Sequence, residues 1–178
     1  MLSLALWIQS TDLFTAIRLS AYVYPIIMTC HLAGIGLFGG MILIVDLRLL
    51  GVAMCSRPVA DVMQQLRGLK HLGFAIVAVC GALMLGSKAE EYYYNAFFRT
   101  KLVLLGLVGV HALVFRGSVY GNPATLDQAP RMPARARLAA TLSLLLWTGL
   151  VITGRGIGYV QVPAGIHAGS VRALFGLS

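Results

Sequence analysis

The sequence predicts an all-α membrane protein, a four-transmembrane-helix bundle preceded by an N-terminal interfacial helix. Three observations carry this. Of 178 residues, 58% are hydrophobic and only 11% charged, where an average soluble domain is about 25% charged. The apolar residues lie in long uncharged runs, as a bilayer requires. The 14 Lys and Arg residues sit at the ends of those runs. The formal net charge of +8 therefore forms no solvated basic patch, and nucleic acid is excluded as a partner. No linker is long enough to join two folded units, so residues 1–178 read as one membrane domain.

Residues 1–17 lack a basic leader and a small-residue cleavage site, so they do not read as a signal peptide. With Leu4, Trp7, Ile8 and Phe14, they predict a helix lying in the membrane interface. The first span follows. Between Arg18 and Asp46 are 27 uncharged residues, enough to cross at 1.5 Å rise each. Lys70 to Lys88 encloses 17, Lys101 to Arg116 encloses 14 and Arg137 to Arg155 encloses 17. These three also span if the flanking Lys and Arg stems snorkel to the headgroups. Phe97, Phe98, Val119 and Tyr120 lengthen the shortest. The expected spans are 20–46, 69–88, 99–120 and 136–155. Helices are required, because an open strand edge in lipid leaves backbone groups unpaired. Residues 156–178, with Pro163 and several glycines, form a tail too broken for a fifth span.

The end at which the first span begins is called side A. Side B then carries eight basic residues, in the 46–70 and 116–137 loops and at their borders, against six on side A. By the positive-inside rule side B is cytoplasmic, and the expected location is the bacterial inner membrane. Tyr92, Tyr93 and Tyr94 on side A fit an aromatic belt.

Four histidines are the informative set: His31, His71, His111 and His167. His31 is ten residues past Ala21 and His111 nine past Leu102, which puts each about 15 Å deep if the spans begin there. Level histidines on separate helices meet the requirement for two axial ligands on one iron, and bundles often hold cofactors between helices. The expected group is one bis-histidine haem b, with His31 and His111 as its iron ligands. Gly34, Gly36, Gly39 and Gly40 near His31, and Gly106 and Gly109 near His111, let a macrocycle or another helix approach. Gly34 and Phe38 are expected beside the cofactor. Arg99, Lys101 and Arg155 form a basic ring on side A that suits haem propionates, a quinone or lipid phosphates. A histidine can equally serve as an interhelical hydrogen-bond donor with no cofactor, and glycines as plain helix packing.

His71 is nearer side B and a poor axial partner. With Gly68, Ala75, Ala78 and Ala82 it reads as the packing stripe of the second span. The faces through Gly34, Phe38, Ala75, Ala78, Gly106 and Gly109 are expected to point inward, and Leu104, Leu144 and Leu145 toward lipid. Asp46 and Arg48 end the first span. They either stand solvated or find partners elsewhere, with Arg116 and Arg137 as candidates. Cys30, Cys55 and Cys80 form no C-x-x-C, so covalent haem and structural zinc lack their motifs. The parts for hydrolytic chemistry are missing too.

Tyr24 and Pro25, HLAGIGLFGGMILIVDLRLLG (31–51), YYYNAFFRTKLVLLGLVGVHALVF (92–115) and SLLLWTGLVITGRGIGY (143–159) resemble an uncharacterised family of bacterial four-helix membrane proteins, a domain of unknown function. The resemblance covers about residues 12–160. It implies the architecture and no activity. More distantly, the arrangement is similar to small membrane cytochromes b, which hold haem between helix histidines; that likeness is one of fold. The expected function is a haem b electron-transfer subunit, passing electrons between a periplasmic donor and a quinone or partner subunit, with no bond-breaking chemistry of its own. Two other readings stand beside it: a cofactor-free accessory subunit of a larger respiratory or photosynthetic complex, and a chlorophyll-type pigment-binding subunit. The partners common to all three are the bilayer and other membrane or periplasmic subunits.

Overall fold

The computed structural model describes residues 2–129 and 131–159. The expected tail from residue 160 onward, with His167, lies outside them. All regular structure among the described residues is helical. Two short helices, α1 (Leu2–Gln9) and α2 (Asp12–Leu19), lead into α3 (Val23–Leu50), α4 (Val59–Ser87), α5 (Ala89–Tyr94) and α6 (Ala96–Phe115). A π turn (Arg116–Tyr120) continues α6, and α7 (Ala124–Asp127) and α8 (Ala134–Ile157) follow. Four helices are long and apolar enough to cross a membrane: α3, α4, α6 with its π turn, and α8. The protein is a multi-pass membrane protein.

The expected interfacial helix is two helices. The chain breaks at Ser10 and Thr11, whose hydroxyls donate to the Trp7 and Ile8 carbonyls at 2.8 and 2.9 Å. This bonding competes with helix continuation. α1 buries no side chain and leaves Leu4 and Trp7 exposed, as an interfacial segment would. α2 buries Ile17 and sends Phe14 into the notch at Gly86 of α4.

Each span runs beyond its uncharged stretch, because charge marks the apolar slab and not the helix end. α3 continues to Leu50 and stops at Gly51, whose φ of 77° is the left-handed cap conformation that glycine adopts cheaply. α4 begins at Val59, ten residues before the expected start. The Asp127 carboxylate of α7 accepts from the Val59 and Ala60 N–H groups at 2.7 and 3.0 Å, filling two of the orphan donors of the helix start. Asp127→Ala should lower stability by about 1 kcal/mol, read as an earlier unfolding midpoint in detergent. α6 begins at Ala96, six residues before Leu102, because the Asn95 side chain accepts from Phe98 N–H at 3.1 Å.

In the bundle α4 packs on α3, α3 on α8, and α8 on α6, so α8 stands between the helices that carry His31 and His111. At side B the ends close on one apolar core. It includes Val45 and Leu49 of α3, Val59 and Val62 of α4, Val119 of the π turn, and Ala136, Ala139 and Ala140 of α8. At side A, Tyr92 of α5 is buried, stacks on Phe98 (centroids 4.8 Å apart) and meets the Tyr24 hydroxyl at 3.2 Å. Burial and these neighbours hold its phenol well above the ordinary range, so it stays protonated.

The small-residue faces divide differently from the sequence expectation. Gly34 does face α4, where an added Cβ would meet Ile76 Cγ2 at 2.8 Å, and Gly73 sits against the Phe38 backbone, 2.9 Å from its nitrogen. Ala75, Ala78, Gly106 and Gly109 are exposed on the outer surface, and nothing lies within 4 Å of a Cβ built on either glycine. The stripe of Gly68, His71, Ala75, Ala78 and Ala82 is likewise exposed; α4 meets α3 through Gly73, Ile76 and Val77 instead. Leu104, expected toward lipid, packs on Gly149 of α8 at 3.2 Å, measured from an added Cβ. Leu145 is exposed as expected and Leu144 is half-buried.

Candidate functional site

His31 lies eight residues into α3, about 12 Å from its side A end. It is half-buried and faces α4. Gly81 of α4 makes room for the ring: a Cβ there would be 3.1 Å from His31 Cε1. Its Nδ1 is buried with no hydrogen-bond partner among the described residues, and the Val77 backbone lies near the ring. Its Nε2 makes no hydrogen bond among the described residues. Metal-ligating imidazoles commonly keep one ring nitrogen for the metal and set the other against a backbone carbonyl, and the His31 ring, with Val77 nearby, could adopt that role. Lys101 of α6 is within electrostatic reach of the ring. Its half-buried side chain runs along α8, with Nζ 3.5 Å from a Cβ built on Gly154.

Below this site, toward side B, lies an aromatic layer. Phe38 meets Phe74 of α4 (centroids 5.6 Å apart) and Trp147 of α8 (5.5 Å, nearly perpendicular). Trp147 in turn fills the place of a side chain at Gly39.

His111 belongs to the other end. Its Nε2–H donates to the Ala139 carbonyl of α8 at 2.9 Å. Its ring lies 4.9 Å from Phe115 and 6.1 Å from Tyr120; the wider π turn brings Tyr120 back toward it. Tyr120 in turn is within electrostatic reach of Asp46. Asp46 is only 1% exposed. Ser143 of α8 is the side chain placed to hydrogen-bond it, and its Oδ2 has no partner. The expected pairing with Arg116 or Arg137 is absent: the ion pair found among the described residues is Lys88–Glu91, on side A. Arg48 donates through Nε to the Arg57 carbonyl at 2.8 Å.

The structure thus brings His31 and Lys101 together and leaves His111 apart from them. His111 follows Lys101 by ten residues of α6, about 15 Å along the helix. The level depths read from the sequence depended on α6 starting near Leu102; the Asn95 cap moves that start outward, and His111 comes to lie deeper than His31. Two axial nitrogens must stand across one iron, a few ångströms apart. With Nε2 of His111 engaged on α8, this pair does not fit that role in the observed arrangement. His31 fits as a single ligand. Gly34 and Phe38 flank it on α3, though Gly34 is occupied by α4. Arg99 is exposed near the start of α6, outside the His31–Lys101 contact, and His71 is exposed on the outer face of α4. No group of three or more metal-ligating side chains occurs among the described residues.

Comparison with known proteins bears on the architecture. A family model described as a family of unknown function, DUF6644, matches residues 11–160. The chain belongs to this family. The match covers α2 to α8, so the four spans, His31, Asp46 and His111 all lie inside the DUF6644 unit, while α1 and the tail lie outside it. No curated protein and no solved structure matches the chain. Asp46 is the residue that sequence reading undervalued. The signal available was its place within an apolar pattern that resumes after Arg48 and runs on to Gly51.

Proposed function

We propose that this DUF6644 protein is a haem b-binding membrane subunit that carries electrons, with His31 as the protein's ligand to the iron. The observation that carries this reading is the state of His31: half-buried against α4, with no hydrogen bond to either ring nitrogen among the described residues and Lys101 within electrostatic reach. Intramembrane ionisable residues are expensive to place and mark function by default. Haem supplies one-electron chemistry when bound. The chain's own part is to hold and tune it. His31 would bind the iron, and the Lys101 ammonium would pair with a propionate carboxylate. The Phe38–Phe74–Trp147 layer would shut the site off from side B, limiting solvent access and so setting the dielectric on which a potential depends. A periplasmic donor and a quinone or partner subunit as acceptor complete the reading, with side B cytoplasmic. The likeness to membrane cytochromes b belongs here as well, as an analogy of architecture. The test is stoichiometric: protein purified from haem-replete cells should yield a pyridine haemochrome of type b, one per chain. Well-folded, haem-free protein would defeat the proposal.

One observation favours a second reading, the cofactor-free accessory subunit. No residue of α6 is fully buried, and Gly106 and Gly109 lie open on it. Small residues on an outer face let a neighbouring helix approach closely. If that face docks a partner, Gly106→Leu should release the chain from its native complex in mild detergent without changing its own unfolding. An unchanged complex would remove this reading.

A further inference from the structure

The haem reading leaves the polar residues at the side B end of the bundle unused. Asp46 is the most deeply buried charged residue described, 1% exposed, with Oδ2 unpartnered. It stands on α3 beside the closed apolar core formed by all four spans. The groups that face it are few. α8 presents Ser143 and the π turn presents Tyr120. His111 of α6 touches Tyr120. α4 contributes the apolar side chains Val59, Val62 and Leu66 to the adjoining core. Arg116 and Arg137, the nearest cations in sequence on this side, are exposed and make no ion pair with it.

We propose that Asp46 is a proton-binding site: its carboxyl carries an exchangeable proton inside the side B end of the bundle, with Ser143, Tyr120 and His111 as the polar groups around it. The physical argument is one of elimination. An ionised carboxylate taken out of water without a cation is costly, and such a group neutralises instead. No arginine or lysine among the described residues makes an ion pair with it, and the apolar side chains of the side B core pack beside it. A proton is the one ligand that needs no cavity. It converts the orphaned Oδ2 from an unsatisfied acceptor into a hydroxyl that can donate. The proton comes from water at side B and returns there; the half-buried Tyr120 is within electrostatic reach of Asp46, and the half-buried His111 meets the Tyr120 ring. No bond other than O–H is made or broken.

The test uses the full chain in lipid and reads carboxyl groups directly. The protein has six Asp and Glu residues, and the five besides Asp46 are exposed or half-buried. Infrared spectroscopy of the wild type at neutral pH should show one protonated carboxyl C=O band. The band should shift in deuterium oxide, disappear at alkaline pH and be lost in Asp46→Asn. Tyr120→Phe should shift it, which keeps the test open if Asp46→Asn does not fold. Absence of any protonated carboxyl band in the wild type overturns the proposal, as does a band that survives Asp46→Asn or that Tyr120→Phe leaves unmoved. None of these readouts depends on haem.

Discussion

His31→Ala should abolish haem b binding, and His111→Ala should leave the haem in place. The first substitution removes the residue proposed as the iron ligand. Outer-shell partners of a metal site are worth about 10- to 100-fold in affinity, so loss of the ligand itself should cost more than about 100-fold. The second removes one hydrogen bond, from Nε2 to the Ala139 carbonyl, worth about 1 kcal/mol to the fold. The contrast separates the observed geometry from a bis-histidine site, in which both substitutions would destroy the native spectrum. Lys101→Ala stands between them. It should retain haem with weakened binding, because the pairing of a buried ammonium with a propionate is lost while the iron ligand remains. Haem content after purification and titration of the haem-free protein measure all three.

Gly39→Ala should destabilise the protein by about 1–3 kcal/mol, the usual cost of overpacking a filled site. A Cβ at position 39 would overlap the indole of Trp147. The indole is held by its perpendicular contact with Phe38, whose ring also meets Phe74. The neighbour that must give way is therefore a rigid ring inside a three-helix contact. Gly36 and Gly106 provide the control. Nothing lies within 4 Å of a Cβ at either, so Ala there should be neutral or stabilising by up to about 1 kcal/mol through helix propensity alone. Opposite signs for the same chemical change on the same helix, α3, would be read as unfolding midpoints in detergent. Equal effects at Gly36 and Gly39 would contradict the packing described.

The four spans were legible because charge punctuates a membrane sequence: a run between Arg137 and Arg155 can hardly be anything else at this composition. Three other features were not legible, each for a physical reason. The depth of His111 depends on the first residue of α6. That residue is fixed by the Asn95 cap, a local hydrogen bond that hydropathy does not register. Asp46 looked like the end of a span because a carboxylate is expected at water. The helix runs on to Gly51, and that carries Asp46 into the side B core. The small-residue stripes of α4 and α6, unlike Gly34 of α3, were assigned to the wrong sides because in lipid both faces of a helix are apolar, so periodicity separates them poorly. Gly73 and Gly106 look alike in sequence, yet one meets the Phe38 backbone and the other meets nothing. His31 is half-buried against Gly81 of α4, with Lys101 within electrostatic reach.

The most direct test of the account is the visible and electron paramagnetic resonance spectrum of the ferric wild-type protein, purified from haem-replete cells. A single-histidine site predicts a haem b signal dominated by a high-spin iron, lost in His31→Ala and kept in His111→Ala. A low-spin bis-imidazole spectrum that vanishes with either histidine would contradict the separation of His31 and His111, and a colourless, folded protein would contradict the cofactor itself.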